Sequence, residues 1–171
     1  MPIIATAGDS KTYTPAPEGT HQAVCVDVID LGIVEGSYQG KPNKRHKIDL
    51  AWQIDELRDD GKRFVLYKRY TLSLGEKATL RHDLESWRGR AFTEDELRGF
   101  DVETVIGVNC LINVQHKKSA DGSRTYANVV SVMPLIKGMA KIGASGYVRH
   151  QEQQPETEAA PDEVTADDIP F

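Results

Sequence analysis

The segment from Lys47 to Asp55 constrains the fold of this chain most, because its residues alternate between two chemical classes. One class is large and apolar, and its members are Ile48, Leu50, Trp52 and Ile54. The other is polar or small, and its members are Lys47, Asp49, Ala51 and Gln53. Successive side chains of a β-strand point to opposite faces, so this alternation predicts a strand with one face in the core.

Four other segments show strand patterns, and the turn signals between them predict hairpins. The segments are 22–31, 63–74, 108–116 and 125–133. Asp-Gly pairs at 60–61 and 121–122 favour tight connections between consecutive strands. Residues 35–46 are rich in glycine, proline and lysine and show no apolar period, so we expect a loop between the first two strands.

A helix is predicted between the third and fourth strands. Its apolar stripe is formed by residues at one-turn and two-turn spacing, Leu80, Leu84 and Trp87. Ser73 and Glu76 have the spacing of a capping box and predict its start, and Gly89 predicts its end. The same spacing at Thr93 and Glu96 predicts a second, short helical turn.

The resulting order is strand, strand, strand, helix, strand, strand. This is the order of the OB-fold, a five-stranded, partly open Greek-key barrel. We therefore expect a mainly β chain built on a five-stranded OB-fold barrel, although a generic α+β sheet has the same order of elements.

The acidic charge of the chain is concentrated at its C-terminal end. The formal net charge is −5, with 26 acidic and 21 basic residues, and seven of the acidic side chains lie in 151–171 beside no Lys or Arg. Residues 1–150 thus hold 19 acidic against 21 basic residues. An acidic run with so few apolar residues is expected to be disordered. We predict a loose arm at 1–18, a folded domain at 19–138 and a flexible acidic tail at 139–171.

Basic residues cluster in the two predicted loops that flank the oligonucleotide-binding face of an OB-fold. These loops connect strands one and two and strands four and five, here residues 35–46 and 117–124. The first loop and the strand start after it hold Lys41, Lys44, Arg45 and Lys47, and the second holds Lys117, Lys118 and Arg124. One such cluster alone is more often solvated surface, so the prediction depends on several clusters meeting on one face.

Aromatic side chains near these cations are candidates for stacking on bases. Tyr67 shares one face of the third strand with Arg69, beside Lys47 of the second strand, and we prefer it to Tyr70 on the opposite face. Trp52 lies on the apolar face, where burial is the stronger expectation. The candidate DNA-binding set is Tyr38, Lys44, Arg45, Lys47, Trp52, Tyr67, Arg69, Lys117, Lys118, Arg124 and Tyr126. For Tyr38 and Tyr126, a role as a turn or packing tyrosine is an equal alternative.

No catalytic, metal or cofactor site is predicted. Cys25 and Cys110 stand singly in apolar runs, and the five histidines are isolated from one another. There is no phosphate-binding P-loop and no nucleophile motif. No run is long enough to span a bilayer and no signal peptide is evident, so we expect a cytoplasmic protein. It is expected to be either a monomer or a homo-oligomer.

The chain ends in Asp167, Asp168, Ile169, Pro170 and Phe171, which place an apolar cluster after the polar, acidic stretch. Phe171 offers a ring and a carboxylate on one residue, a combination that a pocket with a basic wall can capture. This ending resembles the acidic tail tip of bacterial single-strand DNA-binding proteins. The resemblance implies that the tip docks replication, recombination and repair proteins, while the body coats single-stranded DNA.

A barrel followed by an acidic tail is also similar to phage-encoded members of that family. The resemblance covers the tip and the order of elements, whereas the body departs from the cellular pattern, and no residue of the body is transferred from it. The near-neutral body leaves one alternative: an OB-like module that binds a protein and carries a DNA-mimicking acidic tail.

Overall fold

Five strands join one antiparallel sheet in the order β3-β2-β1-β4-β5. In the computed structural model, which describes residues 14–153, the strands are β1 Gly19–Tyr38, β2 Lys41–Leu57, β3 Arg63–Thr71, β4 Asn109–Lys118 and β5 Thr125–Met133. Helices α1 Thr79–Arg88 and α2 Glu94–Arg98 and a 3-10 turn at Val102–Val105 lie between β3 and β4, and a short helix α3 spans His150–Gln153. The predictions for residues 1–13 and for the tail tip lie outside the described residues.

The predicted mainly β class, the five strands and the helix after the third strand are confirmed. The edge strands β3 and β5 approach each other. No hydrogen-bonded pairing joins them in the described part of the chain, so the sheet is not closed into a barrel. None of the described helices is long and apolar enough to cross a membrane.

The predicted loop at 35–46 is wrong, because these residues extend β1 and β2 into a two-stranded ribbon, residues 33–46. Cross-strand pairs run from Ile33 with His46 out to Tyr38 with Lys41. The turn uses Gln39 and Gly40, both at positive φ, as tight hairpins require. Most ribbon side chains are exposed on both faces, which explains why no apolar alternation marked it as a hairpin.

The helix between β3 and β4 begins later than predicted. Its N-cap is Ala78, which has no capping side chain, while the Ser73 hydroxyl accepts a hydrogen bond of 3.1 Å from the Gly75 N–H in a local turn. The predicted end is confirmed, since Gly89 takes a left-handed conformation there. The capping box of Thr93 and Glu96 is also confirmed, with both of its hydrogen bonds present.

The core lies between α1 and one face of the sheet, called here the inner face. The apolar members of the β2 alternation point into it and are no more than 3% exposed. Trp52 of β2 meets Trp87 of α1 with ring centroids 6.1 Å apart, and the Trp87 indole N–H donates to the Asn109 carbonyl at 2.9 Å. The alternation in β2 therefore predicted correctly which of its side chains lie on the inner face.

The opposite face, the outer face, is partly covered by residues 140–150, called here the strap. Ile142 and Tyr147 of the strap pack against a small cluster of Val24, Val26 and Ala51. The contacts with the sheet thus extend to residue 150, beyond the boundary predicted after 138. The strap contains four glycine or alanine residues and no apolar period, so the sequence offered no sign that it packs on the sheet.

Candidate nucleic-acid interface

The outer face of β2 and β3 brings an aromatic ring and two cations together. Cross-strand pairing sets Lys47 opposite Thr71, Asp49 opposite Arg69 and Ala51 opposite Tyr67. Since paired residues of a sheet share a face, Tyr67, Arg69 and Lys47 all project outward, as the sequence indicated. Tyr67 is 50% exposed, which leaves its ring available to a ligand.

Tyr70 has the opposite orientation and is 2% exposed. Its hydroxyl donates to the Asp83 carboxylate at 2.6 Å, and Lys68 donates to the same oxygen at 2.7 Å. Burial, followed by the hydrogen bond to Asp83, raises the pKa of Tyr70 far above its ordinary value. Tyr70 is thus a packed and hydrogen-bonded core residue, which agrees with the preference for Tyr67 as the exposed ring.

The two outer-face cations differ in how their charge is balanced. Arg69 donates from Nε and Nη2 to the two oxygens of Asp49, at 2.9 and 3.2 Å, and these hydrogen bonds raise its pKa. Lys47 donates to the uncharged Thr71 hydroxyl at 2.7 Å. Arg69 is therefore held flat along the sheet by a carboxylate, whereas no carboxylate among the described residues offsets the charge of Lys47.

The ribbon carries the outer-face cations beyond the end of β3. Because side chains alternate along β2, Lys41 and Arg45 lie on the same face as Lys47. Tyr38, opposite Lys41, is 65% exposed. Lys44 points to the other face, where its ammonium lies 3.5 Å from the Glu35 carboxylate. Of the basic residues predicted in this segment, Arg45 and Lys47 belong to the outer face and Lys44 does not.

A groove of about 840 Å³ runs beside this surface, between the β2–β3 pair and the residues that precede α1. The basic residues in its lining are Arg45, Lys47, Lys68, Arg69 and Lys77, and Glu76 is the acidic one. Lys77 was missed by sequence reasoning, because a single lysine before a helix carries no pattern. Lys68 forms a basic pair with Arg69 in the sequence, but the alternation of β3 assigned it to the core-like face with Tyr70, so it was left out of the candidate set. Asp83 pairs with Lys68 and Asp49 with Arg69, so Arg45, Lys47 and Lys77 are the groove cations that have no ion pair among the described residues.

The second basic loop lies at the other end of β1. Lys117 pairs across the hairpin with Tyr126, which is 43% exposed. The turn is held by Asp121, whose pKa is lowered to about 2 by hydrogen bonds from Ser119 and Ser123. The pairing of Gly19 with Val114 places the whole hairpin, including Lys118 and Arg124, past the start of β1. The two basic segments therefore leave opposite ends of β1 and do not form one cluster.

Trp52 requires a correction, because it was included among the DNA-binding candidates. It is 0% exposed and packs on the inner face against Trp87. Its indole N–H is buried and has no hydrogen-bond partner among the described residues. A ring in this position cannot stack on a base, so Trp52 leaves the candidate set.

The described residues offer no alternative site for a metal or a reactive thiol. Within 14–153, no group of three or more His, Cys, Asp or Glu side chains is arranged to hold a metal ion. Cys25 and Cys110 are buried and free, as expected. Burial raises the pKa of Cys25 to about 12 and that of Cys110 further, so both thiols stay protonated at neutral pH.

The strap borders the interface on the β1 side. Its Ile142 and Tyr147, like Val65 of β3, pack against the cluster that contains Ala51, the cross-strand partner of Tyr67. The uncovered outer face thus begins at Tyr67 and extends through Arg69 and Lys47 to Arg45 on the ribbon. Comparison with known proteins adds nothing to this geometry: no protein-family model matches the sequence, and no curated protein matches it significantly.

Proposed function

We propose that this protein binds single-stranded DNA without sequence preference on the outer face of β2 and β3. The observation that carries the proposal is the position of Tyr67 beside Lys47 and Arg69, next to a groove lined by five cations. Proteins that hold single strands combine rings, on which bases stack, with a basic groove that follows the phosphates. Both features occur here on adjacent surfaces.

The fold supports this proposal as an OB-type sheet. OB-folds bind oligonucleotides on the face of strands two and three. The order β3-β2-β1-β4-β5 corresponds to an OB barrel opened between its third and fifth strands, and these two strands approach each other here. The helix between β3 and β4 is also where that topology places one.

In the proposed mechanism, the strand is held by stacking and by ion pairing, and no bond is made or broken. A base stacks on the exposed ring of Tyr67, while Arg45 and Lys47 neutralise neighbouring phosphates. Arg69, held by Asp49, presents a planar guanidinium edge that can turn toward a phosphate or a base. Binding of this kind releases counterions and weakens as salt rises.

The C-terminal tip gives the proposal its second part, the recruitment of replication, recombination or repair proteins. Its support is the resemblance of residues 167–171 to the tail tip of bacterial single-strand DNA-binding proteins. In this proposal Phe171 is the anchor that enters a partner's pocket, while Asp167 and Asp168 steer the encounter.

A labelled oligo-dT, followed by fluorescence anisotropy, tests the DNA-binding part. Intrinsic tryptophan fluorescence is a poor reporter, because Trp52 and Trp87 are both buried. We expect saturable binding at low salt that weakens steadily as salt rises, with weaker binding of the matching duplex. No binding of oligo-dT at low salt, with the protein shown to be folded, would refute the proposal.

The alternative of a protein-binding module is favoured by one observation on the ribbon. Beyond β3 the ribbon exposes aliphatic side chains, with Ile33 at 64% and Val34 at 36%, and neither base stacking nor ion pairing requires these. Failure to bind oligo-dT, together with loss of a pulled-down protein on Ile33→Ser, would favour this module. Salt-dependent oligo-dT binding that Ile33→Ser leaves unchanged would favour the DNA-binding function.

A further inference from the structure

Three polar side chains are buried in the described structure, and all three bind the strap. They are Asp27, Gln53 and Asn109, at 1%, 2% and 8% exposure. A buried polar group is costly unless it is hydrogen-bonded, so a sheet rarely carries such residues on a covered face. Their common partner indicates that the outer face is built to hold residues 140–150 in one place.

Gln53 and Asn109 each form two hydrogen bonds with the strap backbone, one as donor and one as acceptor. The Gln53 amide donates to the Ser145 carbonyl at 2.6 Å and accepts from the Ser145 N–H at 2.8 Å. The Asn109 amide does the same with Ile142, at 2.9 and 2.8 Å. Each side-chain amide thus forms two hydrogen bonds with the backbone of one strap residue, as a paired residue of a neighbouring strand would. These bonds hold the strap on the sheet although it is not a sixth strand.

Asp27 fixes the end of the strap. A register shift between Cys25 and Asp27 sets Asp27 opposite Ala51. Its carboxylate accepts from the Tyr147 hydroxyl at 3.0 Å, from Arg149 Nε at 3.2 Å and from the His150 N–H at 2.7 Å. These donors compensate the buried negative charge and hold Tyr147 in a defined position.

Tyr147 is held directly beside the exposed ring of the candidate interface. It packs against the cluster that contains Ala51, the cross-strand partner of Tyr67. Burial first, and then the neighbouring Tyr67 hydroxyl and the Asp27 carboxylate, raise the pKa of Tyr147 above its ordinary value. Tyr147 is half-buried, so part of its side chain remains exposed.

We propose that the strap makes Tyr147 a second stacking ring of the interface, beside Tyr67, and that Asp27 is the residue that positions it. The inference rests on the proposed single-strand binding and extends it. Two adjacent rings accept successive bases, because every base has a face on which to stack. In this arrangement the strap stays in place when DNA binds.

Two substitutions of Tyr147 separate the ring from its hydroxyl. Tyr147→Phe and Tyr147→Leu both lose the hydrogen bond to Asp27, but only the leucine variant loses the ring. We expect Tyr147→Leu to weaken oligo-dT binding about fivefold or more relative to Tyr147→Phe, the loss typical of one stacked base. Equal affinities of two folded variants would overturn the stacking role.

Asp27→Asn tests the positioning role. Removing a negative charge near a DNA-binding surface should by itself strengthen binding. If Asp27→Asn loosens the strap, we expect the opposite effect, which is weaker oligo-dT binding. The salt dependence should be unchanged, because no phosphate contact is lost. Glu103→Gln is the matched control, since it removes a carboxylate that reaches the strap only through an exposed Arg149 contact at 3.4 Å. Equal or tighter binding by Asp27→Asn would overturn the role assigned to Asp27.

Amide hydrogen exchange of the wild-type protein tests the same inference without a substitution. We expect slower exchange in residues 140–150 when oligo-dT is bound, because the strap forms part of the interface. Unchanged or faster exchange would overturn the inference, and faster exchange would show that DNA displaces the strap.

Failure of the proposed function and failure of the inference about the strap give different results. If the folded wild type does not bind oligo-dT, the proposed function and this inference fail together. If the wild type binds with the expected salt dependence, yet the phenylalanine and leucine variants of Tyr147 bind equally, only the inference about the strap fails.

Discussion

The backbone N–H of His150 donates a hydrogen bond of 2.7 Å to the carboxylate of Asp27, a residue 123 positions earlier in the chain. This bond fastens the start of α3 to β1. The start of α3 therefore lies on the outer face, the same face that carries Tyr67. One buried carboxylate thus connects the stability of the sheet, the position of the strap and the candidate interface.

Asp27 should make stability depend on pH in the acid range. Burial alone would raise its pKa, but the hydrogen bonds from His150, Tyr147 and Arg149 outweigh burial and hold the pKa below its ordinary value of 3.8. A lowered pKa contributes stability that is present above the ordinary value and is lost as the pH falls through the folded-state value. We expect the free energy of unfolding of the wild type to decrease below about pH 4 by more than that of Asp27→Asn.

Urea denaturation at neutral and acid pH measures this difference. The comparison with Asp27→Asn is needed because Glu96 and Asp121 also have lowered pKa values, each of about 2. Protonation of these two carboxylates in acid destabilises the wild type and the variant alike. Parallel pH profiles for the two proteins would show that the Asp27 contacts do not stabilise the fold.

The two core tryptophans should respond differently to the loss of their indole N–H. Trp87 donates to Asn109, whereas the Trp52 N–H is buried and has no partner among the described residues. Trp87→Phe should cost about 0.5–1.5 kcal/mol more than Trp52→Phe, the net value of one hydrogen bond. Trp87→Ala should destabilise by about 3–5 kcal/mol, as for a large buried aromatic. Unfolding curves in urea test both, and a larger cost at Trp52 would contradict the hydrogen-bond assignment.

The sequence predicted those parts of the fold in which one face of an element is buried. β2, β3 and α1 bury one side, so their periodicity identified the inner face, including Trp87, and the outward direction of Tyr67. The ribbon buries neither side, and its apolar residues Ile33, Val34 and Tyr38 do not alternate with polar ones. A hairpin that is exposed on both faces has the same kind of amino-acid composition as a loop.

The strap was unpredictable for a different reason. Its contacts are made mainly by its backbone, which pairs with the side chains of Gln53 and Asn109 far away in the sequence. Polar residues such as these looked like the solvent face of a strand, because nothing nearby in the sequence indicates what covers them. The same limit applies to the groove, where Lys68 and Lys77 meet only in the folded chain.

Arg45 and Lys44 form a matched pair for testing the side of the ribbon that contacts phosphate. Arg45 points to the outer face and lines the groove, whereas Lys44 points away and lies beside Glu35. We expect Arg45→Gln to weaken oligo-dT binding and to reduce the slope of log K against log salt by about 0.7, the value of one phosphate contact on single strands. Lys44→Gln should leave the slope nearly unchanged. Titrations at several salt concentrations give both slopes, and a larger change with Lys44→Gln would place the DNA on the other face.

The tail tip should affect partner binding without weakening DNA binding. Deletion of residues 167–171 removes two carboxylate side chains and the apolar anchor, so oligo-dT affinity should stay the same or rise. Recovery of replication or repair proteins from a bacterial lysate should be lost, and Phe171→Ala should reproduce most of that loss because the ring is the anchor. Recovery of the same partners by the wild type and Phe171→Ala would reduce the tail to a solubilising segment.

The affinity of Tyr67→Ala for oligo-dT, compared with that of Tyr67→Phe, tests the central claim most directly. Both variants lose the hydroxyl, and only the alanine variant loses the exposed ring. The account predicts that Tyr67→Ala binds more weakly by about 1–3 kcal/mol, the loss for one stacked base, with Tyr67→Phe close to the wild type and both melting temperatures nearly unchanged. Equal binding of oligo-dT by folded Tyr67→Ala and Tyr67→Phe would show that the outer face of β2 and β3 is not the surface on which bases stack.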